Sequence, residues 1–198
     1  MAMQIERRLM ERIVGVIIPA LWLGWLMYWF VASRDVKETR WRESPLSQAL
    51  HRVPLVLAAI LLAGPRQLHA SMTARVLPQD PATAAAGTAA VAVGLGFATW
   101  ARVHLGRNWS AAVTLKESHA LIRSGPYRYV RHPIYSGVLL ALLGTAAAIG
   151  EWRAWLAVAV ALVGIAHKIV VEEKRMRETF PEYEQYRRET AALIPFVL

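Results

Sequence analysis

The sequence predicts an all-α fold: a polytopic membrane helix bundle of about five transmembrane helices. Three observations carry that reading. Of the 198 residues, 56% are hydrophobic and the mean hydropathy is +0.31, too apolar for an ordinary soluble domain. Charge-free runs recur along the chain at 13–32, 81–101 and 133–150. Basic residues gather between those runs and at their ends, the distribution that sets the orientation of membrane helices.

The first run, 13–32, covers roughly 30 Å at 1.5 Å per residue, the depth of a hydrocarbon core. It is too long for the apolar part of a signal peptide, and Ala32-Ser33-Arg34 leads into charge rather than a cleavage pattern. The second span is expected over 53–72. It is charge-free only as far as Pro65, so its helix has to run past Arg66 and His69 towards Met72. Before it, Ser44-Pro45 reads as a helix start, with Ser as cap and Pro in the first turn.

The third span, 81–101, is crowded with Ala and Gly, and Gly137 and Gly144 lie on one face of the fourth, 133–150. Small residues let helix backbones approach closely in lipid, so these two spans are expected to pack tightly. The fifth, 154–171, ends on His167 and Lys168, where a lysine can snorkel to the interface. The chain reads as one integral-membrane domain over 1–198. Helices one to three occupy 1–101, and the chemistry lies in 102–198.

The net charge of +9 does not point to nucleic acid, because the basic residues line membrane-flanking segments. With the N-terminus outside and the C-terminus cytoplasmic, segments 33–52, 102–132 and the tail from 167 carry most of the 23 Lys and Arg. Arg7, Arg8 and Arg12 argue the other way and are outweighed. The absence of cysteine excludes disulfides, thiolate nucleophiles and cysteine metal sites.

The densest cluster of chemistry is Ser124-Gly-Pro-Tyr-Arg-Tyr-Val-Arg-His-Pro-Ile-Tyr-Ser-Gly137. Gly125-Pro126 forces a turn, and Pro133 suits the first turn of the fourth helix. His132 then lies at the helix cap, beside unpaired backbone donors and the positive end of the helix dipole. Arg128 and Arg131 add charge, and Tyr127, Tyr129 and Tyr135 add rings and hydroxyls. Such a cluster suits a carboxylate or phosphate ligand; an interfacial anchoring belt would use the same residue types.

Glu172-Glu173 is the second feature. The fourth and fifth spans form a hairpin, one climbing about 27 Å and the other descending as far, so His132 and Glu172 return to one membrane level. Lys168 precedes Glu172 by one helical turn and shares its face. The helix phase leaves open which glutamate faces inward, and solvated carboxylates balanced by Lys174, Arg175 and Arg177 are the plain alternative.

Leu121-Ile-Arg-Ser-Gly-Pro-Tyr127, Arg131-His-Pro-Ile-Tyr135, Glu172-Glu173, Phe180-Pro-Glu-Tyr-Glu-Gln-Tyr186 and Leu193-Ile-Pro-Phe196 follow in that order. In this the chain resembles the isoprenylcysteine carboxyl methyltransferases, an integral-membrane superfamily that includes phospholipid N-methyltransferases. The likeness covers the residues from Gly106 onward. It implies S-adenosylmethionine as cofactor, bound on the cytoplasmic side by His119, Ala120, Leu121, Ile122, Tyr127, Arg131, His132, Pro133, Tyr135, Glu172 and Glu173. It also implies a lipophilic or lipid-modified substrate entering from the bilayer, with Lys168 and Glu172 as catalytic residues. Lys168 stands nearest to an arginine that the family places at the substrate's reacting end, a point charge in place of a fork. The reaction implied is carboxyl O-methylation. Phospholipid or amine N-methylation is the alternative, in which His119, His167 or a glutamate takes the proton, and a sterol-reductase-like use of NADPH is a further one.

Overall fold

The computed structural model describes residues 12–34, 39–64, 71–78, 80–109, 114–116 and 121–195. Among them the expected all-α bundle is present, with one short two-stranded ribbon that the sequence reading did not anticipate. Helix α1 opens as a π-helical stretch, Ile13–Ile17, and continues as an α-helix, Ile18–Ala32. Pro19 sits where the two meet, a position where its missing N–H is tolerated. Strand β1, Thr39–Arg42, pairs antiparallel with β2, Thr114–Lys116.

Helix α2 spans Pro45–Ala63, which corrects the expected second span. It starts a full two turns before Val53 and ends at Ala63, where Gly64 turns to extended backbone; residues 65–70, over which the helix was expected to continue, lie outside the described residues. The cause is local: Ser44 Oγ accepts from Ser47 N–H at 3.2 Å, and Pro45 occupies the first turn, so the cap expected in a loop in fact starts the membrane helix. His51, Arg52 and Pro54 lie inside it.

Helix α3, Pro81–Leu105, is capped by Asp80, whose carboxylate accepts from Thr83 N–H at 2.8 Å and Thr83 O–H at 2.7 Å. Helix α4 spans Pro133–Ile149, α5 spans Trp152–Thr179 and α6 spans Tyr183–Glu189. Among the described residues four helices (α1, α2, α3 and α5) are long and apolar enough to cross a membrane, and α4 is a shorter apolar helix. The chain is an integral-membrane protein.

The tight contact expected of the small residues forms between α3 and α4. A Cβ on Gly94 would lie 2.5 Å from the Gly137 carbonyl oxygen, and one on Gly87 2.5 Å from that of Gly144. No side chain fits at these crossings, so the two helices meet backbone to backbone. Gly150, in the left-handed region at φ +69°, closes α4 and turns the chain into α5. The hairpin is therefore as short as expected. Its turn is braced by Val76 N–H donating to Gly150 O at 2.8 Å and Trp152 N–H to Ala74 O at 3.0 Å.

Two arginines fasten the remaining helices. Buried Arg153 is paired with Glu151 at 2.7 Å and caps the end of α2 through Leu61 O and Leu62 O. Arg102 donates to Ala32 O at 2.5 Å and Gly106 O at 2.7 Å, which ties the ends of α1 and α3 together. Trp109 lies 4.7 Å beneath its guanidinium and packs edge-on to Trp29. In a medium without water, carbonyls at helix ends need such partners.

Candidate functional site

The 3-10 turn Gly125–Arg128 brings the chain to α4, as Gly125-Pro126 suggested. Gly125 has φ +59°, and a Cβ there would strike the His104 ring at 2.7 Å, so only glycine fits. His132 caps α4 and is buried, with 8% of its surface exposed. Its ring is sandwiched by chemistry on every side. Tyr135 stacks on it with centroids 5.6 Å apart, Nδ1 lies 3.4 Å from Glu172 Oε2, and Nε2 lies 3.4 Å from Glu173 Oε1. The hairpin does return the acidic pair to the level of His132.

The two glutamates have separate tasks. Glu172 lines a cavity of about 800 Å³ and accepts from Tyr135 O–H at 2.6 Å. Glu173 turns away to Arg131, whose Nε donates to it at 2.8 Å. Arg131 also donates to Arg187 O and Thr190 O. Its guanidinium is thus consumed in holding the C-terminal segment, although part of its side chain lines the cavity. The helix start is consequently less cationic than the sequence suggested: Arg131 and His132 are already answered by two carboxylates, and Arg128 is exposed.

Burial pulls the His132 pKa down, but hydrogen bonds and charge from Glu172 and Glu173 outweigh it and leave it raised above 6.5. Burial likewise pushes the Tyr127 phenol well above its ordinary value, so it remains neutral. Its hydroxyl points at Ala101 O at 3.4 Å, and its carbonyl accepts from Tyr186 O–H at 2.6 Å.

A strap of backbone completes the floor. Arg131 N–H donates to Ala191 O at 2.9 Å, His132 N–H to Ala192 O at 3.1 Å, and Ser136 O–H to Leu193 O at 2.5 Å. Val130 and Ala191 form a parallel bridge. The Tyr186 and Leu193-Ile194-Pro195 motifs thus have a structural task, which is to hold the His132 turn.

Of the residues expected at the site, Leu121, Ile122, Tyr127, Arg131, His132, Pro133, Tyr135, Lys168 and Glu172 all line the cavity. Glu173 supports from behind, and His119 and Ala120 lie outside the described residues. Lys168 Nζ sits 5.6 Å over the Tyr135 ring. Tyr129 points away, exposed. His167 is turned towards α2, with Nε2 3.5 Å from Ser47 Oγ and its ring facing buried His51. Sequence reasoning missed the far wall, made by Trp22, Trp25 and Trp29 of α1 with Trp109. Their spacing along one helix face was the available signal.

The cavity joins a small polar lip (His132, Tyr135, Lys168, Glu172) to an apolar interior reaching Ala58, Leu142 and Ile149. A membrane-embedded pocket of this kind suits a polar reactant meeting an apolar one. Residues 82–183 match the phospholipid methyltransferase family, and the chain belongs to that family.

Among curated proteins it is 36% identical over 94 residues to the cobalt-zinc-cadmium resistance protein CzcN of Cupriavidus metallidurans, covering 46% of this chain and 43% of that protein. It is 34% identical over 101 residues to the protein-S-isoprenylcysteine O-methyltransferase of Schizosaccharomyces pombe, covering 49% of this chain and 43% of that one. The chain thus spans about half the length of these relatives. Among solved structures it is similar to a eukaryotic intramembrane Ras methyltransferase, isoprenylcysteine carboxyl methyltransferase, with TM-score 0.49 and 21% identity over 80% of this chain and 55% of that one.

Proposed function

We propose that the protein is an S-adenosylmethionine-dependent methyltransferase that methylates the carboxylate of an acceptor with an apolar tail. The observation that carries this is the continuity of the cavity: a polar lip of His132, Tyr135, Lys168 and Glu172 opens into an apolar interior. Family membership and the likeness to the yeast protein-S-isoprenylcysteine O-methyltransferase support it.

The residues at the lip fit the cofactor's chemistry. Glu172 offers a carboxylate for an ammonium or ribose hydroxyls, and the first turn of α4 leaves backbone N–H groups for a carboxylate. Tyr127, Tyr135 and the Leu121-Ile122 segment give apolar and ring surface. When bound, the cofactor supplies an already activated methyl group. The chain's residues then hold the partners in line and exclude water.

Lys168 orients the acceptor carboxylate by charge, and Glu172 fixes the cationic partner opposite. A carboxylate acceptor would carry no proton to remove, so Lys168 and Glu172 would act by charge and position and no residue of the chain would have to serve as a base. Arg131, Glu173 and the strap position His132 rather than touching either reactant.

The charge distribution supports an N-terminus outside and a C-terminus in the cytoplasm, which opens the lip to the compartment that holds the cofactor. Because the chain has no cysteine, single introduced cysteines at Ser44 and Thr73 report the two faces cleanly. Ser44 is expected to be labelled from the cytoplasm only.

The test of function is methyl transfer from labelled S-adenosylmethionine to prenyl-cysteine analogues and to total membrane lipids, with calorimetric binding of the cofactor to detergent-purified protein. Label on the prenyl-cysteine carboxylate supports the reading. Label confined to phospholipid amines would shift the acceptor, and binding of NADPH in place of S-adenosylmethionine would overturn the reading.

A further inference from the structure

The apolar part of the cavity is not an open shaft. The Trp22 ring packs against a core cluster on α3 and α4 that includes Val91, Leu95 and Ala141. It packs equally against a second cluster, Ala58, Leu142, Ala157 and Ala161, built on α2, α4 and α5. One side chain from α1 therefore reaches both sides of the interior. Its Nε1–H donates to Thr145 Oγ1 at 3.0 Å. Thr145 spends its own hydroxyl proton on Ala141 O at 2.8 Å, so towards Trp22 it can only accept. Donor and acceptor are both assigned, and the indole is held in one orientation.

Trp22 and Thr145 both line the cavity, which continues beyond them to an end formed by Val14, Leu62 and Ile149. From Tyr135 at the lip to Thr145, α4 rises about 15 Å at 1.5 Å per residue. That is about half of a hydrocarbon core of roughly 30 Å, the depth of one leaflet.

We propose that Trp22, pinned by Thr145, is a crossbar that limits the length of the acceptor's apolar tail, admitting a tail about one leaflet deep and obstructing a longer one. The inference rests on the reading of the cavity as the acceptor site and specifies what that site selects. A tail shorter than the limit leaves apolar wall uncovered, and a longer one has to displace an indole whose polar atom would then be buried without a partner.

The experiment measures binding of S-geranyl-, S-farnesyl- and S-geranylgeranyl-cysteine to the detergent-purified full chain, by competition and without methyl donor. The parent is expected to prefer farnesyl to geranylgeranyl by about tenfold. Trp22→Ala is expected to abolish that preference, Trp22→Phe to retain most of it, and Thr145→Val to weaken it by freeing the indole. A parent without chain-length preference overturns the proposal, as does the parental preference surviving in Trp22→Ala. Should Trp22→Ala fail to fold, Thr145→Val decides, and an unchanged preference there overturns it. Because no methyl transfer is read, length-selective binding with no product would sink the proposed reaction and leave the crossbar standing, whereas product formed without length selectivity would do the reverse.

Discussion

Tyr135 donates its phenolic hydrogen to Glu172 Oε1 at 2.6 Å, while its ring stacks on His132 and has the ammonium of Lys168 5.6 Å from its centre. One side chain thus sets the orientation of the cavity's carboxylate and touches both His132 and Lys168. Tyr135→Phe removes the hydrogen bond and keeps the ring. A hydrogen bond to a charged group contributes about 1.5–3 kcal/mol, so S-adenosylmethionine affinity is expected to fall by about tenfold or more in calorimetry, with the melting temperature little changed.

The acidic pair should separate into two phenotypes. Glu172→Gln is expected to abolish cofactor binding in a protein that still folds, because Glu172 faces the cavity. Glu173→Gln leaves Arg131 without its buried partner, which costs about 3 kcal/mol. That variant should lose thermal stability first and cofactor binding only as a consequence. Equal loss of binding with unchanged melting in both variants would refute the division.

A pH profile tests His132. Its folded-state pKa is raised above 6.5 by Glu172 and Glu173 against the pull of burial. Protonation therefore contributes stability that is fully present below the unfolded value of about 6.5 and is lost as the pH rises through the folded value. Melting temperature measured from acid to alkaline pH is expected to fall across that window. His132→Gln should flatten the fall.

Gly94→Val tests the backbone contact of α3 with α4, since even a Cβ would lie 2.5 Å from Gly137 O. Separating the helices is expected to cost about 2 kcal/mol or more, read as loss of monodisperse protein in detergent. Gly96→Ala is the control, because a Cβ there meets nothing within 4 Å, and it should leave the protein unchanged.

Four of the spans, the hairpin and the grouping of the candidate site residues were legible in the sequence for different reasons. Charge-free length marks a membrane helix directly, and a turn as short as Gly150-Glu151 leaves α4 and α5 only one way to run. Nine of the residues expected at the site line one cavity because the hairpin brings both motifs to one level. The second helix was misjudged because hydropathy locates apolar stretches rather than caps: Ser44-Pro45 starts the helix inside polar sequence, with His51 and Arg52 carried into it. The role of Arg131 was also hidden. Its partners, Glu173 and the carbonyls of Arg187 and Thr190, lie far along the chain, and no local pattern announces a guanidinium spent on structure. The tryptophan wall escaped because aromatic residues in an apolar helix look alike whether they face lipid or a cavity.

The strap has a consequence for how the protein comes into being. His132 is held from below by Ala191, Ala192 and Leu193, which leave the ribosome long after the helices they secure. A nascent chain can insert its apolar helices and still lack a finished floor beneath His132. The turn at His132 is therefore complete only once the strap, made after every helix it secures, has paired with it.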